Sequence, residues 1–388
     1  MTLVLVTGLS AMNMNIFLPS LPSMALYFDT DYRVMQLSVA LYLLAVAALQ
    51  VFIGPISDRF GRRVVLLTST SLFIVMTVGA LFSPNITVFL VFRMGQAVSA
   101  AGMVLSRAIV RDMVGQDEAA SMIGYVTMGM ALVPMVAPAI GGFLDATTGW
   151  QGSFWLLIAC GVAIFAMLWY DLGETSTGRP ASFRAQFAEY PELLSSRRFW
   201  GYCLTAAFVS GAFFAYLGGA PFVGTTVFQL EPSVLGLYFG APAIGYAVGN
   251  FISGRYSVAL GINRMILIGC SACTIGMALS PLAYFAGLTH PFWFFFFMTS
   301  VGLGNGMALP NANAGMLSVR PRLAGTASGL GGAITIGGGA ALSALASAVL
   351  VPGTGPYPLQ AIMLTSSLLA LLTALYVIRR ERLLAITT

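Results

Sequence analysis

Two amides and an arginine stand where so apolar a chain would not carry them without a use. Asn13 and Asn15 lie inside the first long apolar run, in the stretch MNMNIFLPSLP, and Arg93 lies inside the fourth, three residues before Gln96. An arginine in a membrane span costs at least ~2.5 kcal/mol on insertion scales, so it normally faces a polar interior or a partner. Arg93 sits about seven residues, roughly 10 Å, inside its run. Gln96 at i+3 shares its helix face and can hydrogen-bond it. Such groups compensate charge and recognise a ligand in a cavity; they do not make or break bonds. Asn15 cannot titrate at all.

A second constellation is GPISDRFGRR, which holds Gly54, Asp58, Arg59, Gly61, Arg62 and Arg63. A tight turn between helices wants glycine at positions 54 and 61, for close approach and permissive φ. Asp58 can cap a neighbouring helix N-terminus, where the dipole is positive. The arginines can pair with Asp112, next to Arg111 at the end of the fourth run. That pairing would latch one face of the molecule and break when its halves move.

Other patterns carry less. Cys160, Cys203, Cys270 and Cys273 all fall in apolar runs, and the CxxC at 270–273 reads as two small residues on one helix face. With a single histidine, His290, no disulfide, metal site or cofactor is expected, and no enzymatic centre. The string Gly302-x-Gly304-Asn305-Gly306 lacks the Gly-Lys-Ser/Thr ending and strand context of a nucleotide loop. It reads as close-packed or flexible helix, with Asn311 and Asn313 as cavity amides.

Composition says which elements must position these groups. Of 388 residues 58% are hydrophobic and 8% charged, with mean hydropathy +0.88, whereas soluble domains carry about 25% charged residues. The chain is an integral membrane protein. A helix needs roughly 20 residues to cross a bilayer. Apolar runs fall near 3–27, 36–56, 64–82, 86–108, 120–143, 152–170, 199–220, 234–254, 265–286, 292–316, 325–349 and 359–378. A β-barrel would show alternating segments of ~10 residues; these runs are apolar on every face. The first run lacks a basic n-region and a cleavage site, and reads as a retained span with room for a short basic tail ahead of it.

Lysine is absent, and cytoplasmic loops retain the basic residues. With both ends in the cytoplasm, sixteen of the eighteen arginines lie inside, leaving Arg33 outside and Arg93 within a span. Orientation thus explains the net charge of +5, and no nucleic-acid partner is expected. The halves also repeat: Gly54-Pro-Ile-Ser-Asp-Arg59 is echoed 196 residues later by Asn250-Phe-Ile-Ser-Gly-Arg255. Residues 1–170 and 199–388 read as two six-helix halves joined by a cytoplasmic linker over 171–198. The linker's second half suits an amphipathic helix on the inner leaflet, and equally a solvated tether. Parallel repeats of this kind build transporters whose site lies between the halves near mid-membrane.

At GPISDRFGRR the chain resembles the major facilitator superfamily, whose hallmark loop is Gly-x-x-x-Asp-Arg-x-Gly-Arg-Arg. Arg93-x-x-Gln96 resembles the Arg-x-x-Gln-Gly of its drug:proton antiporters, with Ala97 in the glycine's place. The fifth run resembles their antiporter motif at Gly124, Pro138, Gly141 and Gly142, with Val133 and Ala137 replacing two glycines and Pro134 adding a second proline. Together with LPSLP and Arg111-Asp112, the set looks most like the Bcr/CflA, or bicyclomycin-resistance, branch. The resemblance implies an all-α fold of twelve transmembrane helices with both termini cytoplasmic. It also implies a monomeric, multi-pass protein of the bacterial inner membrane that exports small hydrophobic or amphipathic drugs by alternating access, in exchange for protons. Asn13, Asn15, Tyr42, Arg93, Gln96, Phe213, Phe214, Tyr216, Tyr238, Asn311 and Asn313 would then line or tune the cavity.

The energy source is the difficulty. A proton-driven exporter usually has a cavity carboxylate whose pKa burial raises, and none of the thirteen acids falls at mid-membrane. Asp29, Asp31, Asp145 and Glu231 lie toward the outside and the rest toward the cytoplasm. Where many relatives place an acid before the Leu-Pro, this chain has Asn15. Coupling through Asp58 or Asp112 with Arg93 as a fixed counter-charge, a proton-independent facilitator, an anion exchanger using Arg93, and a non-transporting receptor or scaffold are the readings that remain.

Overall fold

The computed structural model describes residues 1–113, 133, 136–175, 191–320, 323–351 and 353–387. Among these residues the regular structure is helical. Among the described residues eleven helical stretches, some of them joining two of the helices below, are long and apolar enough to cross a membrane. The expected fifth run lies largely outside the described residues, its helix being described over 136–148.

The first run is broken, and proline is the cause. Helix α1 (Thr2–Asn15) gives way to a 3-10 turn at Leu18–Ser20 and then α2 (Leu21–Tyr27). Pro19 and Pro22 occupy the first turns of the elements they begin, where a missing N–H breaks no helix bond. Helix α3 (Tyr32–Phe60) starts at Asp31, whose side chain accepts from the Arg33 N–H, and stops at Gly61. There φ is +93° and α4 (Arg62–Leu81) starts at once. Helix α5 (Ile86–Gly95) passes through a 3-10 turn at Gln96–Ser99 into α6 (Ala100–Met113). Helix α7 (136–148) and α8 (Gln151–Asp171) follow.

Then come α9 (Arg197–Phe222), α10 (Pro232–Phe239), α11 (Ala241–Leu260), α12 (Ile262–Phe285), α13 (Pro291–Ser318), α14 (Ala324–Val349) and α15 (Tyr357–Thr387). The chain forms two compact units, one of Met1–Ala185 with Glu231–Leu237, the other of Gln186–Leu230 with Tyr238–Thr388.

The second unit repeats the first's turn. Helix α11 ends at Gly261, with φ +82°, and α12 follows directly. Gly61 N–H donates to the Ser57 carbonyl at 3.0 Å, and Gly261 N–H to that of Ser257 at 2.9 Å. The structural repeat is therefore 200 residues, four more than the Ser-x-Arg echo suggests. A left-handed glycine fixes the register, because other residues adopt positive φ only at a cost.

Within the second unit, α11 and α13 meet backbone to backbone. A Cβ on Gly302 would stand 1.5 Å from the Pro242 carbonyl oxygen, and one on Gly245 1.8 Å from that of Thr299. Small residues permit such contact between membrane helices, and this is what the glycine-rich string does.

Candidate functional site

Arg93, on the last turn of α5, is 1% exposed. Its Nη1 donates to Asn13 Oδ1 at 2.8 Å and Gln96 Oε1 at 2.6 Å, and its Nη2 to the Asn13 carbonyl at 3.0 Å. The guanidinium lies over the Tyr42 ring at 4.1 Å and the Phe17 ring at 4.3 Å. Cation–π contacts of this kind strengthen when water is excluded. Among the described residues the ion pairs are Arg62–Asp112, Arg198–Glu381 and Arg320–Glu192, and no carboxylate pairs with Arg93.

The partners are themselves held. Asn13 Nδ2 donates to Tyr42 Oη and Ser99 Oγ, both at 3.2 Å. Gln96 Nε2 donates to Thr77 Oγ1 at 2.9 Å, and Thr77 to the Phe73 carbonyl at 2.7 Å. Both acceptor oxygens are thereby aimed at the arginine, joining α1, α3, α4 and α5 through one charge. Of the residues the sequence reading assigned to the cavity, Arg93, Gln96, Asn13 and Tyr42 lie together. Ser99 and Thr77 were missed, because a hydroxyl in an apolar run gives no pattern of its own. Asn15 stands apart, its Nδ2 donating to Ala11 O in its own helix at 2.7 Å.

At the other end of this unit, Arg62 Nε meets Asp112 Oδ2 at 3.1 Å, and Arg62 Nη1 also donates to Ser57 Oγ. The carboxylate of Glu174 accepts from the N–H groups of Arg62 at 2.8 Å and Arg63 at 3.3 Å. It thus caps the N-terminus of α4, which leaves such donors free. Arg63 donates to the Trp169 carbonyl at 2.8 Å and lies 5.6 Å from its ring. Glu174 sits in the stretch read as linker without chemistry; only the fold brings it to the turn. A Cβ on Gly61 would stand 2.3 Å from its Oε2. Among the described residues no atom from beyond its own turn of helix lies within 4 Å of a Cβ built on Gly54. Arg59 is exposed, its guanidinium 5.5 Å from the Phe60 ring. The side chains of Asp58 and Arg111, and residues Gly124 and Pro134, lie outside the described set.

Pro138, Gly141 and Gly142 are buried on α7. A Cβ on Gly141 would stand 1.6 Å from the Ile16 carbonyl oxygen, and one on Gly142 2.4 Å from that of Pro232. Gly141 lets α7 press against the break in the first helix, and Gly142 against the start of α10. In the second unit Tyr216 Oη donates to the Phe239 carbonyl at 3.0 Å, and Tyr238 stacks on Phe295 at 5.1 Å. Phe213 is half-buried beside Phe214, their ring centres 6.0 Å apart. Asn311 Nδ2 bonds Ser253 Oγ at 2.8 Å and the Met307 carbonyl at 2.7 Å, whereas Asn313 is exposed. Tyr216 and Asn311 are thus committed to their own unit's packing.

A helical membrane chain with an ion pair beside a glycine turn and a fully buried, amide-held arginine has the build of a secondary transporter. The pattern of the Major Facilitator Superfamily matches residues 3–344. Multidrug resistance protein D of Escherichia coli is 27% identical, covering 95% of this chain and 93% of its own. The bicyclomycin resistance protein homolog of Haemophilus influenzae is 25% identical over 92% and 90%. The solved D-xylose-proton symporter superposes with a TM-score of 0.74 at 16% identity, covering 97% and 95%. This chain belongs to the Major Facilitator Superfamily, whose members are membrane transporters and not enzymes, and the Bcr/CflA resemblance of its motifs agrees with both named relatives. It is a multi-pass protein of the inner membrane.

Proposed function

We propose that this protein exports small hydrophobic or amphipathic drugs or metabolites by alternating access, with two six-helix halves rocking about a central site, both termini in the cytoplasm and protons as the exchanged ion. The observation that carries this reading is Arg93, buried with neutral acceptors on Asn13 and Gln96 and no acid beside it. A cation placed at that cost and held by amides is a fixed charge. It orients Asn13 and Tyr42 and disfavours a second cation near them, which suits neutral or weakly acidic drugs. The Arg62–Asp112 pair and the Glu174 cap form the cytoplasmic latch, broken and remade in each cycle; partly open to water, they contribute modestly and so can break. The close helix contact at Gly141 and Gly142 resists leak. The names of the drug-resistance relatives point the same way.

The test is transport by the purified protein in liposomes, with chloramphenicol as probe and a pH gradient as the drive. Gradient-driven uptake that needs Arg93 supports the proposal. Wild-type vesicles indifferent to the gradient would remove proton exchange from it.

A further inference from the structure

A groove opens between α3 and α4 of the first unit, and a hydroxyl stands unused in its wall. Leu49, Ile53, Ile56 and Phe60, spaced along one face of α3, form one side, and Val64, Thr68 and Ser69 of α4 the other. Val98, on the 3-10 turn after α5, joins the lining. The groove holds about 350 Å³, a volume within the ~300–1,000 Å³ of small-molecule sites. It begins beside the Gly61 turn, where Phe60 and Val64 are exposed. From Phe60 to Leu49 it follows α3 for about 16 Å, at 1.5 Å per residue, which is about half of a ~30 Å hydrocarbon core. It therefore has the depth of one leaflet, on the latch side.

The lining is apolar apart from Thr68 and Ser69. Residues 68–71 all carry hydroxyls. Thr68 donates to the Val64 carbonyl at 2.8 Å, Thr70 to that of Leu66 at 2.8 Å and Ser71 to that of Leu67 at 3.0 Å. Ser69 Oγ makes no such bond, and it has no other hydrogen-bond partner among the described residues. Ser69 and Val98 also line a second cavity of about 10 Å³, whose further polar walls are Ser10, Thr70 and Ser99. Ser99 accepts from Asn13, and Asn13 accepts from Arg93. One shared wall thus stands between the groove and the Arg93 network.

We propose that the groove is an entry subsite for a small amphipathic molecule on its way out of the latch-side leaflet. Its apolar body lies against Ile53, Ile56 and Phe60, and a hydroxyl, amide or carbonyl of the ligand bonds Ser69. The acyl chain of a lipid would match the length and the apolar walls but has nothing to offer Ser69. A hydroxyl closed against hydrocarbon without a partner is costly, so the wall favours a ligand with both an apolar and a polar part. The entry role rests on the efflux reading; the binding site does not.

Thiol protection in the full chain, reconstituted in phospholipid vesicles, tests the site. Ser69→Cys puts a thiol at the proposed contact, and Cys160→Ala removes the native thiol that is not buried. The reagent is a membrane-permeant bimane and the ligand probe is chloramphenicol. At ten times its Kd the drug should slow labelling about tenfold, because the free fraction falls as 1/(1 + [L]/Kd). Adding Ile56→Trp fills the groove and should make labelling equally slow with and without drug. Val64→Trp, at the exposed mouth, repeats this away from packed residues. Labelling that ignores chloramphenicol would overturn the proposal and leave the groove to lipid chains; protection that survives both tryptophans would overturn it too. Adding Arg93→Ala should abolish transport and keep the protection. Protection lost with Arg93→Ala would mean that the thiol reports on the Arg93 network, and the groove site would fall. Protection in a protein that does not transport chloramphenicol would sink the efflux reading and leave the site standing.

Discussion

The two units make the same backbone turn and furnish it with different chemistry. Ser57–Gly61 and Ser257–Gly261 share the carbonyl bond and a left-handed glycine, with φ +93° and +82°. Around the first stand Arg62, Asp112 and Glu174; among the described residues no atom from beyond the turn itself comes within 4 Å of the Cβ position of the second. In the second unit the nearby polar group is Asn263, which donates to Glu381 at 2.5 Å and accepts from Tyr202 at 2.9 Å. The deeper polar residues diverge likewise. The first unit buries a guanidinium held by side chains from other helices, while in α13 Asn305 donates to Val301 O at 3.0 Å and Val209 O at 2.9 Å. Backbone geometry survives in the repeat because the turn requires it. The ion pair at the second turn is Arg198–Glu381, reached through Asn263, so what sets the first unit apart is a guanidinium buried among neutral partners.

That comparison can be broken. The largest effect should come from Arg93→Ala, which strands the oxygens of Asn13 and Gln96; we expect a loss of export on the order of a hundredfold, ~3 kcal/mol. Arg93→Lys, keeping the charge but losing the fork that reaches both amides, should fall between. Resistance and vesicle transport measure both. If Asn305→Ala or Asn311→Ala in the second unit lowered transport as far, the buried guanidinium would not be the governing feature.

The turns give the next largest effect. Gly61→Ala and Gly261→Ala each force a side chain into positive φ, at roughly 1 kcal/mol or more. Only Gly61→Ala also strikes Glu174, so it should lower the melting temperature further, and Gly61→Ala with Glu174→Ala should bring the two turns level. Equal losses from the single variants would show the Glu174 cap to be dispensable. Smallest of all, Asn311→Ala removes a bond to Ser253 and should cost about 1 kcal/mol of stability with transport near wild type. A selective loss of drug transport at normal stability would make Asn311 a cavity residue.

Much of this was legible in the sequence, for physical reasons. Hydropathy shows spans because lipid tolerates little else, and Arg93 announces itself because a charge there must have partners. GPISDRFGRR declares a turn because its glycine sits where positive φ is needed. What remained hidden were contacts between segments distant in the chain. Glu174 lies 113 residues from Gly61, and Asp145 looked like an outer-loop acid until α7 was seen against α2, where Ser23 donates to it at 2.8 Å.

The amides of MNMNIFLPSLP mark the boundary. Sequence alone requires two polar groups in the first helix to be satisfied, and by composition puts that helix in a membrane. It does not say which amide serves the arginine. Residues 13 and 15 point about 200° apart on an α-helix, so one packing arrangement can use only one of them. The tertiary structure turned Asn13 to Arg93 and left Asn15 to its own backbone, because the direction of a helix face is set by its neighbours and not by its own residues.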